Sequence, residues 1–264
     1  MLQQAIDFRD EIQALYRLLE RLNDDEFDRA TLFKGWTVND VIGHLHMWNW
    51  AADLSLQDGD AFQAWIATLM KDLVSGGLRQ FENRWLDGRQ GKALLNEWRD
   101  FYLPMSERFA AAEPKTRVRW AGPDMSVRSA ITARLMETWA HGQAVYDLLG
   151  EERKDTDRIR NIAQLGINTF GWTFKNRGLD VPPNPPWVRL TAPSGDTWEW
   201  NTENTTDSVE GSATEFCQVV TQTRNIADTK LKTRGDTAAE WMAIAQCFAG
   251  PPEEPPLPGS RHVS

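Results

Sequence analysis

A mainly helical domain followed by a small α+β domain is the fold class that the sequence predicts. Three observations carry it. Apolar residues recur at helical spacing through the first 150 residues. The run Val181-Pro182-Pro183-Asn184-Pro185-Pro186 then breaks all regular structure. Short alternating pieces with turn signals follow it.

Taken in order, Ala5, Phe8, Ile12, Leu15, Leu18, Leu19 and Leu22 mark a first helix. Thr37 followed by Asp40 three residues later is an N-terminal cap, and starts a second helix reaching about Leu56. A third helical region is interrupted near Ser75-Gly76-Gly77 and again near Asp87-Gly88. Helix resumes from about Lys92 to Ala112 and stops at Glu113-Pro114, because a proline disfavours helical geometry in the residue before it. Residues 115–124 form a connector that turns at Gly122-Pro123-Asp124. Ser126 caps a helix that Gly150 ends after Leu149, and another helix spans Thr156 to Asn176. After the proline run, Trp187–Thr191 and Thr197–Trp200 read as a hairpin, and Ser208–Ser212 as a third strand. Helices are expected at 213–223 and 236–249. The expected division is a helical domain over 1–180 (a core to 150 plus an extra helix), an α+β domain over 181–250, and a mobile proline-rich tail over 251–264.

Composition narrows the function. A net charge of −9 repels phosphate backbones and anionic lipid, so nucleic acid is not an expected partner. No apolar run is long enough to span a membrane, and Met1 to Leu22 lacks the apolar stretch of a secretory signal, so a cytoplasmic location is expected. Cys217 and Cys247 are far apart and form no Cys-x-x-Cys pair. They read as buried, reduced thiols. The 13 tryptophans suit thick-walled helical packing.

The chemistry concentrates in Glu137-Thr138-Trp139-Ala140-His141. A Glu and a His four residues apart share one helix face. With Ala130, Ala133, Ala140, Ala144 and Leu148 they form a stripe expected to face inward, where an unpaired carboxylate is costly. A metal ion removes that cost. His44 sits in the stripe Val41, His44, Leu45 and Trp48 of the second helix and supplies a third ligand, leaving other coordination positions open, as in a catalytic site. His46 is about 200° further round the helix and is excluded. His262 lies in the tail and is read as incidental.

These residues resemble a known family. Gly35-Trp36-Thr37-Val38-Asn39-Asp40-Val41-Ile42-Gly43-His44-Leu45 and Glu137-Thr138-Trp139-Ala140-His141 are similar to the second- and fourth-helix motifs of the DinB-like and mycothiol-dependent maleylpyruvate isomerase superfamily. The resemblance implies a DinB-like four-helix bundle whose divalent metal, usually zinc, is held by His44, Glu137 and His141. It also implies a sterol-carrier-like C-terminal domain, whose match lies in Glu215–Arg224 and Ala245–Pro251. In the isomerase an arginine of that domain binds substrate, and Arg224 is the positional match. Relatives often carry Asp three residues after the final His. Here that position is Ala144, with an acid recurring at Asp147, so the named isomerase activity does not transfer intact.

The expected function is that of a thiol-dependent transferase or isomerase. A low-molecular-weight thiol is activated at the metal and attacks a small electrophile, giving S-transfer or cis–trans isomerisation, while Arg224 clamps a carboxylate. The same ligands serve a metal-dependent hydrolase. A non-catalytic metal-binding protein, or a carrier of an apolar ligand in a groove lined by Trp187, Trp198 and Trp200, is the other class of reading. Monomer and homodimer are both compatible with the sequence.

Overall fold

A computed structural model describes residues 1–75 and 77–261, without the side chains of residues 74 and 75. The chain forms two compact units, Met1–Val145 and Tyr146–Ser264.

The first unit is a helical bundle. Its helices are α1 (Gln3–Leu19), α2 (Val38–Gln57), α3 (Gly59–Ser75), α4 (Gly77–Leu86), α5 (Gly91–Ala111) and α6 (Val127–Leu149), which runs on into the second unit. Helices α1 and α2 both pack on α5, and α2 also packs on α3 and α4. Gly43 allows the last of these approaches. A Cβ there would come within 2.5 Å of Leu86 Cδ1, so the missing side chain brings α4 against the helix that carries His44. A bidentate pair, Arg108 to Asp53 at 2.8 and 2.6 Å, joins α5 to α2. Between α5 and α6, β1 (Arg117–Val118) and β2 (Met125–Ser126) pair around the expected turn.

Many tryptophans gather where α2, α3 and α4 meet. Met47, Ala51, Phe62, Ile66, Leu69 and Phe81 form a buried cluster, with Trp48, Trp50, Trp65, Trp85 and Trp120 packed against it. Phe62 stacks on Trp120 at 5.8 Å and 7°.

The second unit holds α7 (Arg160–Asn168), α8 (Phe170–Asn176), β3 (Trp187–Thr191), β4 (Thr197–Trp200), β5 (Ser208–Ser212), α9 (Ala213–Val220), β6 (Lys232–Arg234) and α10 (Asp236–Ile244). Its sheet runs β4-β3-β5-β6. The β3–β4 hairpin is antiparallel as expected, while β5 returns parallel to β3.

Several expectations need correction. The single helix over 156–176 is two, separated at Thr169 (φ −96°, ψ 9°), whose hydroxyl donates back to the Leu165 and Gly166 carbonyls. Such back-bonding competes with helix continuation. Strand β6 was missed because its three residues, Lys232-Thr233-Arg234, are all exposed and polar and leave no alternating pattern. The tail, expected to be mobile, makes hydrogen bonds to the second unit through its backbone as far as Gly259. Gln222 donates to the Glu253 carbonyl, Asn225 to that of Pro256, and Gly259 N–H to Asp228. The three indoles expected to line one groove fall on two faces. Register pairs Val188 with Trp200 and Leu190 with Trp198, so these share a face, and Trp187 lies on the other with Arg189 and Glu199.

Both cysteines are buried, and neither forms a disulfide. Burial pushes the Cys217 thiol well up, and it donates to the Ile159 carbonyl. Neither thiol should react with a disulfide reagent at pH 8 while the chain is folded, and both should react in urea. Rapid labelling of Cys217 in the native protein would contradict this packing. In the first unit, Phe62→Ala should lower the unfolding free energy by about 3–5 kcal/mol, read from a urea melt followed by tryptophan fluorescence.

Candidate metal centre

The site is built from the N-terminus of α2 upward. Thr37 Oγ1 accepts the Asp40 N–H at 3.1 Å, and an Asp40 carboxylate oxygen accepts the Thr37 N–H at 2.9 Å, closing the capping box expected from sequence. The other Asp40 oxygen receives Arg79 of α4. Arg79 also donates to Glu82 Oε2 at 2.6 Å, and Glu82 Oε1 meets His44 Nδ1 at 2.7 Å. Glu82 is fully buried. A linked chain of polar contacts, Asp40 to Arg79 to Glu82 to His44, therefore fixes one ring edge of His44. The opposite nitrogen, Nε2, turns toward Glu137 Oε2 at 3.6 Å.

His141 closes the group. Its Nε2 lies 3.1 Å from the same Glu137 oxygen, and ligand atoms of His44, Glu137 and His141 all lie within 4.8 Å of one another. The rings of His44 and His141 meet edge to face at 4.6 Å. A loop before α2 covers them. Lys34 and Gly35 both take positive φ, 52° and 69°, and this turn places Phe33 and Trp36 together at 5.0 Å. Trp36 then stacks on His141 at 5.3 Å and 3°, with the Arg79 guanidinium against the indole at 4.7 Å.

Electrostatics follow from this crowding. Burial pulls the His44 pKa down, but hydrogen bonds and charge from Glu137 and Glu82 outweigh it, and the net shift is upward. Burial opposes ionisation of Glu137, yet the two histidines hold it well below the usual carboxylate range. For His141, burial dominates and the pKa falls. Two imidazoles and one carboxylate converge without any sulfur ligand, the donor set of a hydrolytic or transfer zinc site. His141 Nδ1 is buried with no hydrogen-bond partner. His44 already has the carboxylate partner that orients a metal-binding imidazole. These residues fit a divalent metal.

The stripe on α6 requires a correction. Ala130 is buried, but its other members Ala133, Glu137, Ala140, His141, Ala144 and Leu148 are only partly buried, and the bundle core takes Ile131, Leu135, Thr138, Trp139, Gly142 and Val145 instead. The small side chains do not seal this face, and a quarter of the Glu137 side chain is exposed. His46 stands apart, as its helical angle requires. It is buried against Trp85 and Phe101, with Nε2 3.3 Å from Glu97. His262 lies outside the described residues. Arg224 belongs to the second unit, where it makes a bidentate pair with Asp147 at 2.8 and 2.6 Å. Asp147, the acid that recurs after the missing Asp, is thus a guanidinium partner. Sequence reasoning missed Glu82, Arg79, Trp36 and Phe33. Trp36 stood inside the quoted motif. Glu82, on a short helix bounded by glycines, carried no signal.

Comparison with known proteins places this architecture. Residues 8–146 match the family described as mycothiol maleylpyruvate isomerase N-terminal domain. The chain belongs to that family. It is 37% identical to an uncharacterized protein of Mycobacterium tuberculosis, found in strains CDC 1551 / Oshkosh and ATCC 25618 / H37Rv. The match runs over 246 residues, 93% of this chain and 95% of the relative. The fold resembles the crystal structure of the mycothiol-dependent maleylpyruvate isomerase, with a TM-score of 0.55, 18% identity, and 82% of this chain and 87% of that chain covered. A histidine-to-alanine mutant of that isomerase gives 0.53. The mainly helical bundle followed by a small α+β region is therefore the fold of this family member. Among the described residues no helix is long and apolar enough to cross a membrane.

Two outcomes test the local geometry. Glu82→Gln should weaken metal binding by about 10–100-fold with the fold retained, because it removes the charge that orients His44. Competition with a chromogenic chelator measures this, and unchanged affinity would contradict it. In the chelated protein His44 holds its proton above the ordinary imidazole range, a contribution to stability present below pH about 6.5 and lost as pH rises through the raised pKa. His141 and His46, both lowered by burial, act only below that range. The urea midpoint should therefore fall as pH rises from about 6.5, and fall less in Glu82→Gln.

Proposed function

We propose that this protein is a metal-dependent enzyme that directs a low-molecular-weight thiol onto a small electrophile. The observation that carries the reading is the convergence of His44, Glu137 and His141 within 4.8 Å, with the second nitrogen of His44 committed to Glu82. Family membership supports a thiol-dependent isomerase or transferase as the reaction class, and mycothiol is the first thiol to test.

His44, Glu137 and His141 would hold the ion, and zinc suits the donor set best. When bound, the ion favours the ionised form of a thiol and presents it at neutral pH. The chain supplies the rest. Glu82 keeps the His44 proton on Nδ1, so Nε2 offers its lone pair to the ion. Phe33 and Trp36 cover His141 and keep water from that side, which strengthens every charge interaction inside. The partly exposed flank around Glu137 leaves room for small molecules to enter.

Two outcomes at the electrophile share this machinery. With a leaving group, a sulfur–carbon bond forms and the group departs with its electron pair, giving S-transfer. With an activated double bond, sulfur adds, the former double bond rotates, and sulfur leaves again, giving cis–trans isomerisation with the thiol regenerated. Ala144, in place of the acid often found in relatives, argues for a substrate different from that of the named isomerase. Arg224 is held by Asp147, so we assign it first to the second unit's own structure, with a substrate role only where that pair opens.

Metal analysis and thiol consumption test the proposal together. The purified chain should contain about one divalent ion and consume mycothiol with chloroacetamide as a generic electrophile. His44→Ala and Glu137→Ala should each lose the ion and reduce the rate at least 100-fold, about 2.7 kcal/mol in the barrier. Consumption that survives loss of the ion, or none with mycothiol, bacillithiol or glutathione, would overturn the reading.

A further inference from the structure

The bundle contains a buried cation that no ion pair neutralises among the described residues, although the charge of Glu137 favours it. Arg134 lies on α6, three residues before Glu137 and seven before His141, on the same side of the helix. It is 2% exposed. Its Nε donates to Asn49 Oδ1 of α2 at 3.0 Å, and its Nη2 is buried with no partner. Asn49 is fully buried, its oxygen is spent on Arg134, and its Nδ2 is also without a partner. Among the described residues no carboxylate forms an ion pair with this guanidinium, and burial pushes its pKa down to about 10.

The imbalance has a sign. Both unsatisfied groups are donors, one of them charged, and they come from facing helices. A buried guanidinium with one N–H group left without an acceptor is costly, so an acceptor belongs there. A guanidinium and an amide offer two N–H groups in different directions, which suits the two oxygens of a carboxylate better than a spherical ion. The spacing fits a small substrate. Arg134 lies about one helical turn from Glu137, roughly 4.5 Å along the axis. Asn49 follows His44 on α2 by a rise of about 7.5 Å. A short acid bound here would place a carbon a few bonds from its carboxylate at the level of the metal ligands. Trp48, one turn from His44, lies beside that ring and has a buried indole N–H that also lacks an acceptor.

We propose that Arg134 and Asn49 form a carboxylate-binding subsite one turn deeper than His44, Glu137 and His141. It selects small acids as the electrophilic substrates of the proposed reaction, and in that respect rests on the proposed function. Binding itself needs neither the metal nor the thiol.

The test uses the full chain, with and without chelator, titrated with propionate and with its neutral isostere propionamide by calorimetry. Propionate should bind saturably at one site in the chelated protein, and propionamide at least tenfold more weakly. Arg134→Met should weaken propionate at least tenfold while the melting temperature is unchanged or raised, because a buried charge without an ion pair leaves the core. Arg134→Lys, which keeps the charge without the planar fork, should fall between and guards against a misfolded first variant. No propionate binding to the chelated wild type, equal binding of the amide, or full binding to folded Arg134→Met would each overturn the subsite. A lowered melting temperature in both variants without change in propionate affinity would assign Arg134 to the fold instead. Thiol consumption with neutral chloroacetamide reports on the proposed function alone, so the two ideas fail separately.

Discussion

The bond between buried Glu82 and His44 Nδ1 is the constraint on which the site depends. A histidine on a helix can present either ring nitrogen. Here a fully buried carboxylate takes one of them, and only Nε2 is left to face Glu137. That carboxylate is held by Arg79, which is held by Asp40, the residue that also closes the N-terminal cap of α2. One capping residue therefore serves both the helix start and the orientation of His44, a little more than one turn away. Gly43 completes the constraint by allowing α4, which carries Arg79 and Glu82, to approach α2 closely.

The site is asymmetric. His44 has a charged partner behind it, whereas His141 has aromatic surfaces, Trp36 stacked on its face and Phe33 at its edge, and a second nitrogen without a partner. One histidine is locked by charge and the other by shape. Burial alone would favour neutral groups, but Glu137 between two histidines remains ionised, and ionised carboxylate is the form that binds metal. Together these features describe a pre-formed candidate site of two histidines and a carboxylate, partly exposed at Glu137 where α6 carries small side chains.

Much of this was legible in the sequence because it is local. Thr37 and Asp40 announce a cap three residues apart. Glu137 and His141 share a face through helix geometry, and the same geometry removes His46. What was not legible depends on tertiary register. Glu82 comes from α4, a short helix whose place against α2 no local pattern specifies. The alanine stripe suggested a buried face, but small residues also occur where a helix must leave space, and here Ala133, Ala140 and Ala144 are only partly buried. In the second unit Trp187, Trp198 and Trp200 look alike in sequence. Strand register divides them between two faces, and with that the case for a single apolar groove is lost.

The central claim is that His44, Glu137 and His141 are ligands to one ion. X-ray absorption at the zinc edge of the zinc-loaded chain tests it most directly. The account predicts a shell of nitrogen and oxygen only, at about 2.0–2.2 Å, with the outer-shell scattering of two imidazoles. A sulfur scatterer in thiol-free buffer, or fewer than two imidazoles, would contradict it.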